Sequence, residues 1–176
     1  MFASEYWIKV KRMNAIFFYG TLLDTGIRRC VFAESTGDDQ IIHARAQGYD
    51  TMCYPGETYP VLVPAAGAVT RGHVLLDPSD EALERMVFFE GGEYELADLP
   101  VISADGETIQ ARYNRASDSG LDFSKPWEYE EWRLAERDNF FEATRLYMER
   151  CWGKMTLAEA GAVWQELQLL RHGVNG

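Results

Sequence analysis

Residues 14–24, NAIFFYGTLLD, constrain the fold more than any other stretch of the chain. The run Ala15–Phe18 is apolar and rich in aromatic residues, which predicts a short buried strand. We expect the strand to end before Gly20, because glycine permits a sharp turn and a close approach of bare backbone to a ligand. Successive N–H groups at such a turn can form an anion-binding nest. An ordinary corner between a strand and a loop is the alternative explanation.

Length and charge narrow the classes of protein to consider. The 176 residues suffice for one domain with an appendage. The formal net charge of −11 argues against a nucleic-acid partner, whose phosphates would repel the chain. No apolar window is long enough to span a membrane. The resemblance of the N-terminus to a signal peptide is weak, so we predict a cytoplasmic location, with Met13 as a candidate start.

The metal-binding and nucleophilic residue types are scattered. Cys30, Cys53 and Cys151 lack metal-ligand spacing, which predicts buried free thiols. The histidines form no local cluster, and the chain has no serine-centred elbow, phosphate loop or zinc motif. We therefore expect neither a metal nor a cofactor, and a carboxylate remains the main candidate for chemistry.

The alternation of short apolar runs and turn signals predicts an α+β fold in which a mixed sheet closes into a small barrel with helices at its rim. A short helix should follow, capped by Asp24 or Thr25. A second helix should begin at Asp77-Pro78 and end near residues 89–92. Residues 50–59 are expected to form a loop, and Asp105-Gly106 predicts a hairpin turn. The expected strands cover residues 15–18, 40–49, 60–64 at an edge, 69–76, 94–102 and 108–114.

The C-terminal third changes to a helical period. Residues 127–152 predict one long helix, and Thr156 begins a second through a capping box with Glu159. We expect this pair to pack on the barrel, with a second active module or a homodimer contact through Trp152 or Trp164 as alternatives.

The predicted organisation has three parts. A barrel domain covers residues 13–114, a polar linker covers 115–126, and a two-helix extension covers 127–173.

Glu90 is the candidate catalytic residue. It follows three apolar residues and precedes two glycines, so its carboxylate should be partly desolvated, which raises its pKa. A carboxylic acid whose pKa is raised toward neutrality is suited to general acid–base catalysis. The simpler explanation is an acid that ends a helix and faces water. Glu93 and Glu95 alternate on the next strand and are expected to face solvent.

An ordered series of motifs resembles the γ-glutamylcyclotransferase-like superfamily, including its avirulence-induced-gene-like branch. The series lies within residues 14–114, and WEYEEWR at 127–133 is similar to the C-terminal extension of some bacterial members. Its pieces are YGTL at 19–22, YPVLVP at 59–64, the strand at 69–76 with Gly72, FEG at 89–91 leading to Tyr94, and the hairpin ending in Tyr113.

The resemblance implies the small mixed β-barrel of that superfamily and a γ-glutamyl cyclotransferase. Such an enzyme converts a small-molecule γ-glutamyl amine or γ-glutamyl amino acid to 5-oxoproline and the free amine. By the resemblance, Gly20, Thr21 and Leu22 would bind the substrate's α-carboxylate through backbone N–H groups, and Glu90 would be the general acid and base. Tyr19 and Tyr94 would complete the substrate-binding residues. The attacking nitrogen belongs to the substrate, which fits the expectation of no metal and no cofactor.

One residue departs from the family pattern. Leu96 stands two positions after Tyr94, where many members carry an arginine. A non-catalytic small-molecule binding module on the same barrel is therefore the alternative function. A scaffold that assembles through its C-terminal helices is a third.

Overall fold

The computed structural model describes residues 14–37 and 40–173. Within these residues, five strands close into a barrel in the order β1-β3-β2-β4-β5, and the pairing is antiparallel except between β1 and β5. The strands are β1 Ala15–Phe18, β2 Ile41–Cys53, β3 Pro60–Leu76, β4 Tyr94–Ser103 and β5 Thr108–Ala116. The helices are α1 Thr25–Phe32, α2 Asp80–Glu90, α3 Tyr129–Ala135, α4 Arg137–Cys151 and α5 Leu157–Gly173. The α+β barrel predicted from the sequence is confirmed. Met13, the candidate start, lies outside the described residues.

Strand β1 is buried on both faces because it lies between the barrel interior and the helices. Ala15 and Phe17 belong to the cluster of apolar residues inside the barrel, whereas Ile16 and Phe18 pack in the cluster under α1 and α2. This alternation is the two-residue period of a strand. At Gly72 of β3, a Cβ would lie 2.1 Å from the carbonyl oxygen of Phe18, so only glycine lets the two strands approach this closely.

Strands β2 and β3 are longer than the sequence predicts. They pair continuously from Ile41 opposite Leu75 to Cys53 opposite Pro60, with one irregularity between Gln47 and Tyr49. Two of the predictions are therefore wrong: residues 50–53 belong to β2 rather than to a loop, and residues 60–76 form one strand rather than two. Continuous pairing along the hairpin outweighs the local turn signals of proline and glycine.

The helix ends follow capping chemistry. The carboxylate of Asp24 accepts a hydrogen bond from the Ile27 N–H at 3.0 Å and caps α1, as predicted. Helix α2 begins later than predicted, because Ser79 rather than Asp77 is its cap; the Ser79 hydroxyl accepts from the Ala82 N–H at 3.1 Å. The helix ends at Glu90, as expected, because Gly91 has a φ of 65°.

The C-terminal region forms three helices rather than the two predicted. The expected single helix over 127–152 is wrong, because Glu136 leaves the helical conformation with a φ of −123° and separates α3 from α4. The rings of Trp132 and Phe140 pack across this break, with centroids 5.6 Å apart. The capping box of α5 is confirmed: the Thr156 N–H donates to Glu159 at 2.8 Å, and the Glu159 N–H donates back to the Thr156 hydroxyl at 3.3 Å.

The segment between the barrel and the helices runs along the end of β2. The Cys53 N–H donates to the carbonyl of Lys125 at 2.8 Å, and the Trp127 N–H donates to the carbonyl of Thr51 at 3.0 Å. The Trp127 indole also donates to the carbonyl of Thr58 at 2.9 Å. No helix in the described parts of the chain is long and apolar enough to cross a membrane.

Candidate active site

A cavity of about 180 Å³ lies between the turn after β1, the end of α2 and helix α5. The start of β3, Asn114 of β5 and two aromatic residues of α4 complete its walls. The residues predicted for the site all line it: Tyr19, Gly20, Thr21, Leu22, Glu90 and Tyr94. The fold therefore brings these predicted residues together, although Tyr19 and Tyr94 lie 75 positions apart in the sequence.

The turn after β1 is a single 3-10 turn over Thr21–Leu23. The Leu23 N–H donates to the carbonyl of Gly20 at 2.9 Å, whereas the leading N–H groups of a helical turn have no acceptor within it. A Cβ on Gly20 would lie 2.5 Å from Cγ of Pro60, so glycine is needed for the turn to lie against the start of β3.

Two arginines hold the far side of this turn. The Arg28 guanidinium donates to the carbonyls of Leu22 and Leu23 at 2.9 and 2.7 Å. Arg137 of α4 donates to the Asp24 carboxylate at 3.0 Å. Burial raises the pKa of Asp24, but the bond from Arg137 and the Ile27 N–H outweigh it, so the net shift is downward.

Glu90 is half-buried at the end of α2 and faces the cavity. Asn114 donates from Nδ2 to its Oε1 at 3.0 Å, and the Tyr19 hydroxyl donates to the carbonyl of Asn114 at 2.5 Å. Burial, reinforced by the negative charge of Glu93, raises the pKa of Glu90 to about 8, against the opposing effect of the Asn114 bond.

Glu93 corrects a sequence prediction. It lines the cavity and accepts a hydrogen bond from the Tyr59 hydroxyl at 2.6 Å, so the expectation that it faces solvent is wrong. Glu95 is exposed, as expected, and pairs with Arg115. The Glu93–Tyr59 bond holds a second carboxylate close enough to influence Glu90.

The tyrosines of the site are neutral hydrogen-bond donors. The Tyr94 hydroxyl donates to the carbonyl of Pro60 at 2.7 Å. Burial raises the pKa of Tyr94, Tyr19 and Tyr59 above the ordinary value for a phenol. Leu96 packs in the apolar cluster under the helices and is not among the residues that line the cavity.

Helix α5 forms a wall of the cavity that sequence reasoning missed. Its contribution comes from one face, through Leu157, Gly161, Trp164 and Gln165. The Trp164 ring packs against Phe140 and Tyr147 of α4, with centroid distances of 5.7 and 5.4 Å. Spacing along α5 predicts only a packed helix, since nothing local indicates what its apolar face meets. A homodimer contact through Trp152 or Trp164 stays a prediction.

Sequence analysis also missed Asn114 as a site residue, because it is one polar residue at the end of an alternating strand.

Across the described ranges 14–37 and 40–173, no three His, Cys, Asp or Glu side chains are grouped as metal ligands would be. His43 and His73, distant in sequence, are cross-strand neighbours with ring centroids 4.7 Å apart. Burial, followed by the charge of Arg28, lowers the pKa of His73 to about 4.

The class of the protein follows from a comparison of its sequence with protein families. The chain belongs to the family described as gamma-glutamyl cyclotransferase, AIG2-like, whose model matches residues 16–134. Helices α4 and α5 lie beyond the matched region.

Relatives and solved structures agree with this family. The chain is 24% identical to AIG2-like protein A of Arabidopsis thaliana over 140 residues, which cover 78% of this chain and 83% of the relative. It is 27% identical to Protein AIG2 C of the same plant over 141 residues, covering 79% and 82%. A solution structure of an Arabidopsis thaliana protein is similar with a TM-score of 0.58, 24% identity and coverage of 78% and 83%. A structure of a gamma-glutamyl cyclotransferase has a TM-score of 0.54, 15% identity and coverage of 88% and 99%. At these identities the structures show a shared fold.

Proposed function

We propose that the protein is a γ-glutamyl cyclotransferase that converts a γ-glutamyl amine or γ-glutamyl amino acid to 5-oxoproline and a free amine. The observation that carries the proposal is the position of Glu90: its half-buried carboxyl faces the same cavity as the turn at Gly20, Thr21 and Leu22. Membership of the AIG2-like gamma-glutamyl cyclotransferase family supports the class of reaction.

In this proposal the turn after β1 binds the α-carboxylate of the substrate. The backbone N–H groups of Gly20, Thr21 and Leu22 precede the first hydrogen bond of the 3-10 turn and can donate to an anion. Arg28 and the Asp24–Arg137 pair fix the opposite side of the turn, so the donors are held in place before the substrate arrives.

Glu90 then moves the proton. Burial raises its pKa to about 8, so the Glu90 carboxylate is a stronger base than an ordinary glutamate and can accept a proton from the substrate's α-ammonium. The freed amine attacks its own γ-carbonyl carbon and closes a five-membered ring. Glu90 gives the proton to the leaving nitrogen and the old C–N bond breaks. The ring nitrogen then loses its second proton through Glu90 to the released amine, so that 5-oxoproline and an ammonium ion separate.

Two general effects account for the rate. Holding the γ-glutamyl chain in the attack conformation replaces an unfavourable encounter with an intramolecular one, worth several kcal/mol of the barrier. A positioned proton carrier contributes about 10²–10⁴-fold. Asn114 and Tyr19 position the carboxyl of Glu90 for this transfer.

The test is release of 5-oxoproline from a panel of γ-glutamyl amines and amino acids. The wild-type protein should form product from at least one compound, and Glu90→Gln should abolish it because an amide cannot carry the proton. Glu84→Gln, an exposed position on the same helix, is the matched control and should retain activity. Absence of product from the whole panel would contradict the proposal. Thermal stabilisation by these compounds without product would identify a binding module instead.

A further inference from the structure

The proposed binding mode leaves one wall of the cavity for the leaving group. The turn after β1 takes the α-carboxylate, and Glu90 takes the α-ammonium. Helices α4 and α5 contribute six of the other lining residues, and three of these are aromatic: Phe140, Tyr147 and Trp164. Phe140 and Tyr147 are buried, and Trp164, which packs against both rings, is half-buried. An aromatic group is a suitable occupant of such a wall, because aromatic rings stack edge to face.

The charge of the cavity favours a leaving group without a carboxylate. Among the described residues, none of those that line the cavity is a lysine or an arginine. Its acids are Glu90 and Glu93. A carboxylate on the leaving group would meet no cation there and would approach negative charge, at a cost that increases as water is excluded.

Gly161 provides the space. It lies within α5 and lines the cavity, and a Cβ built on it would meet no atom within 4 Å. Glycine weakens a helix interior relative to alanine, and no close contact within the protein requires it here. Gly161 is itself exposed, so it lies where the cavity opens to solvent, and the space above it is available to a ligand that extends from the cavity.

We propose that α5 borders a leaving-group subsite at the open side of the cavity, that this subsite selects γ-glutamyl amides of aromatic amines lacking a carboxylate, and that Gly161 determines its size. This inference rests on the proposed function. For γ-glutamyl phenethylamide, the ring-closing C–N bond forms and the amide C–N bond breaks. The two protons lost by the α-ammonium pass in turn through Glu90 to the leaving nitrogen, and the products are 5-oxoproline and the phenethylammonium ion.

The experiment compares kcat/KM for γ-glutamyl phenethylamide with that for γ-glutamyl methylamide and for γ-glutamylphenylalanine. The methylamide lacks the ring, and γ-glutamylphenylalanine keeps the ring but adds a carboxylate. The wild-type protein should prefer the phenethylamide over each by about tenfold or more. In Gly161→Leu the preference for phenethylamide over methylamide should fall by about tenfold, because the leucine side chain fills the subsite. Ala162→Leu places the same side chain at the next, exposed position of α5, outside the cavity lining, and should keep the wild-type preference.

The outcomes separate this inference from the proposed function. If 5-oxoproline is released but the wild type shows no preference, or Gly161→Leu leaves the preference unchanged, the subsite is refuted and the cyclotransferase stands. If no compound yields 5-oxoproline, the proposed function fails, and calorimetric binding of γ-glutamyl phenethylamide decides about the subsite. Binding that weakens about tenfold in Gly161→Leu and not in Ala162→Leu supports it. Absent binding, or equal binding to all three proteins, overturns it.

Discussion

Replacing Glu90 with glutamine should stabilise the protein, and the gain should depend on pH. Burial and the charge of Glu93 raise the pKa of Glu90 from an ordinary 4.5 to about 8. Between these pH values the folded protein binds about one proton more than the unfolded chain, so the wild type's free energy of unfolding falls as pH rises. At about 1.4 kcal/mol per pH unit the full loss would approach about 5 kcal/mol. Because the side chain is only half-buried and faces an open cavity, we expect about 2–4 kcal/mol.

Glu90→Gln carries no charge at any of these pH values and keeps an oxygen that can accept from Asn114. Urea unfolding of variant and wild type at pH 5 and pH 9 measures the effect. The stability advantage of the variant should grow by about 2–4 kcal/mol from the lower to the higher pH. Glu84→Gln, exposed on the same helix, should show the same difference from wild type at both pH values. An advantage of Glu90→Gln that does not change with pH would refute the buried-acid geometry.

Three further predictions concern the groups around the carboxyl. Gly20→Ala should cost about 1–3 kcal/mol in urea unfolding, because its Cβ would lie 2.5 Å from Pro60, and product formation should fall more than tenfold; unchanged values would contradict the close approach. Arg137→Met should lower stability by about 1 kcal/mol at neutral pH through loss of the pair with Asp24, and the difference should shrink in acid as that carboxylate is protonated. Asn114→Leu removes the hydrogen bond that lowers the pKa of Glu90, so the rising limb of the pH profile of kcat/KM should move to higher pH. A limb that stays in place would exclude this hydrogen bond.

Local chemistry explains why much of the fold was predictable. Strand β1, the Asp24 cap, the Asp105-Gly106 turn and the capping box at Thr156 each depend on neighbours within a few residues. Burial of Ala15–Phe18 also follows from composition alone, since a run without polar residues has no face for water.

Longer-range features were not predictable in the same way. The length of β3 depends on pairing with β2, whose paired residues lie 7–34 positions away in the sequence. The break at Glu136 has no glycine or proline to mark it. Within the site, Glu93 alternates like a surface residue, and only the position of Tyr59 makes it a cavity residue. The role of α5 depends on how α4 and α5 dock, which a helical period does not specify.

The hydrogen bonds between residues 125–127 and β2 determine what happens when the chain is truncated after β5. These bonds cover the backbone of Thr51 and Cys53 much as an additional strand would. A chain cut after β5 would leave that stretch of β2 with unsatisfied edge groups, and an uncovered edge invites pairing with another copy. Residues 125–127 therefore shield this edge of β2, and a chain that ends after β5 should self-associate more readily than the full chain.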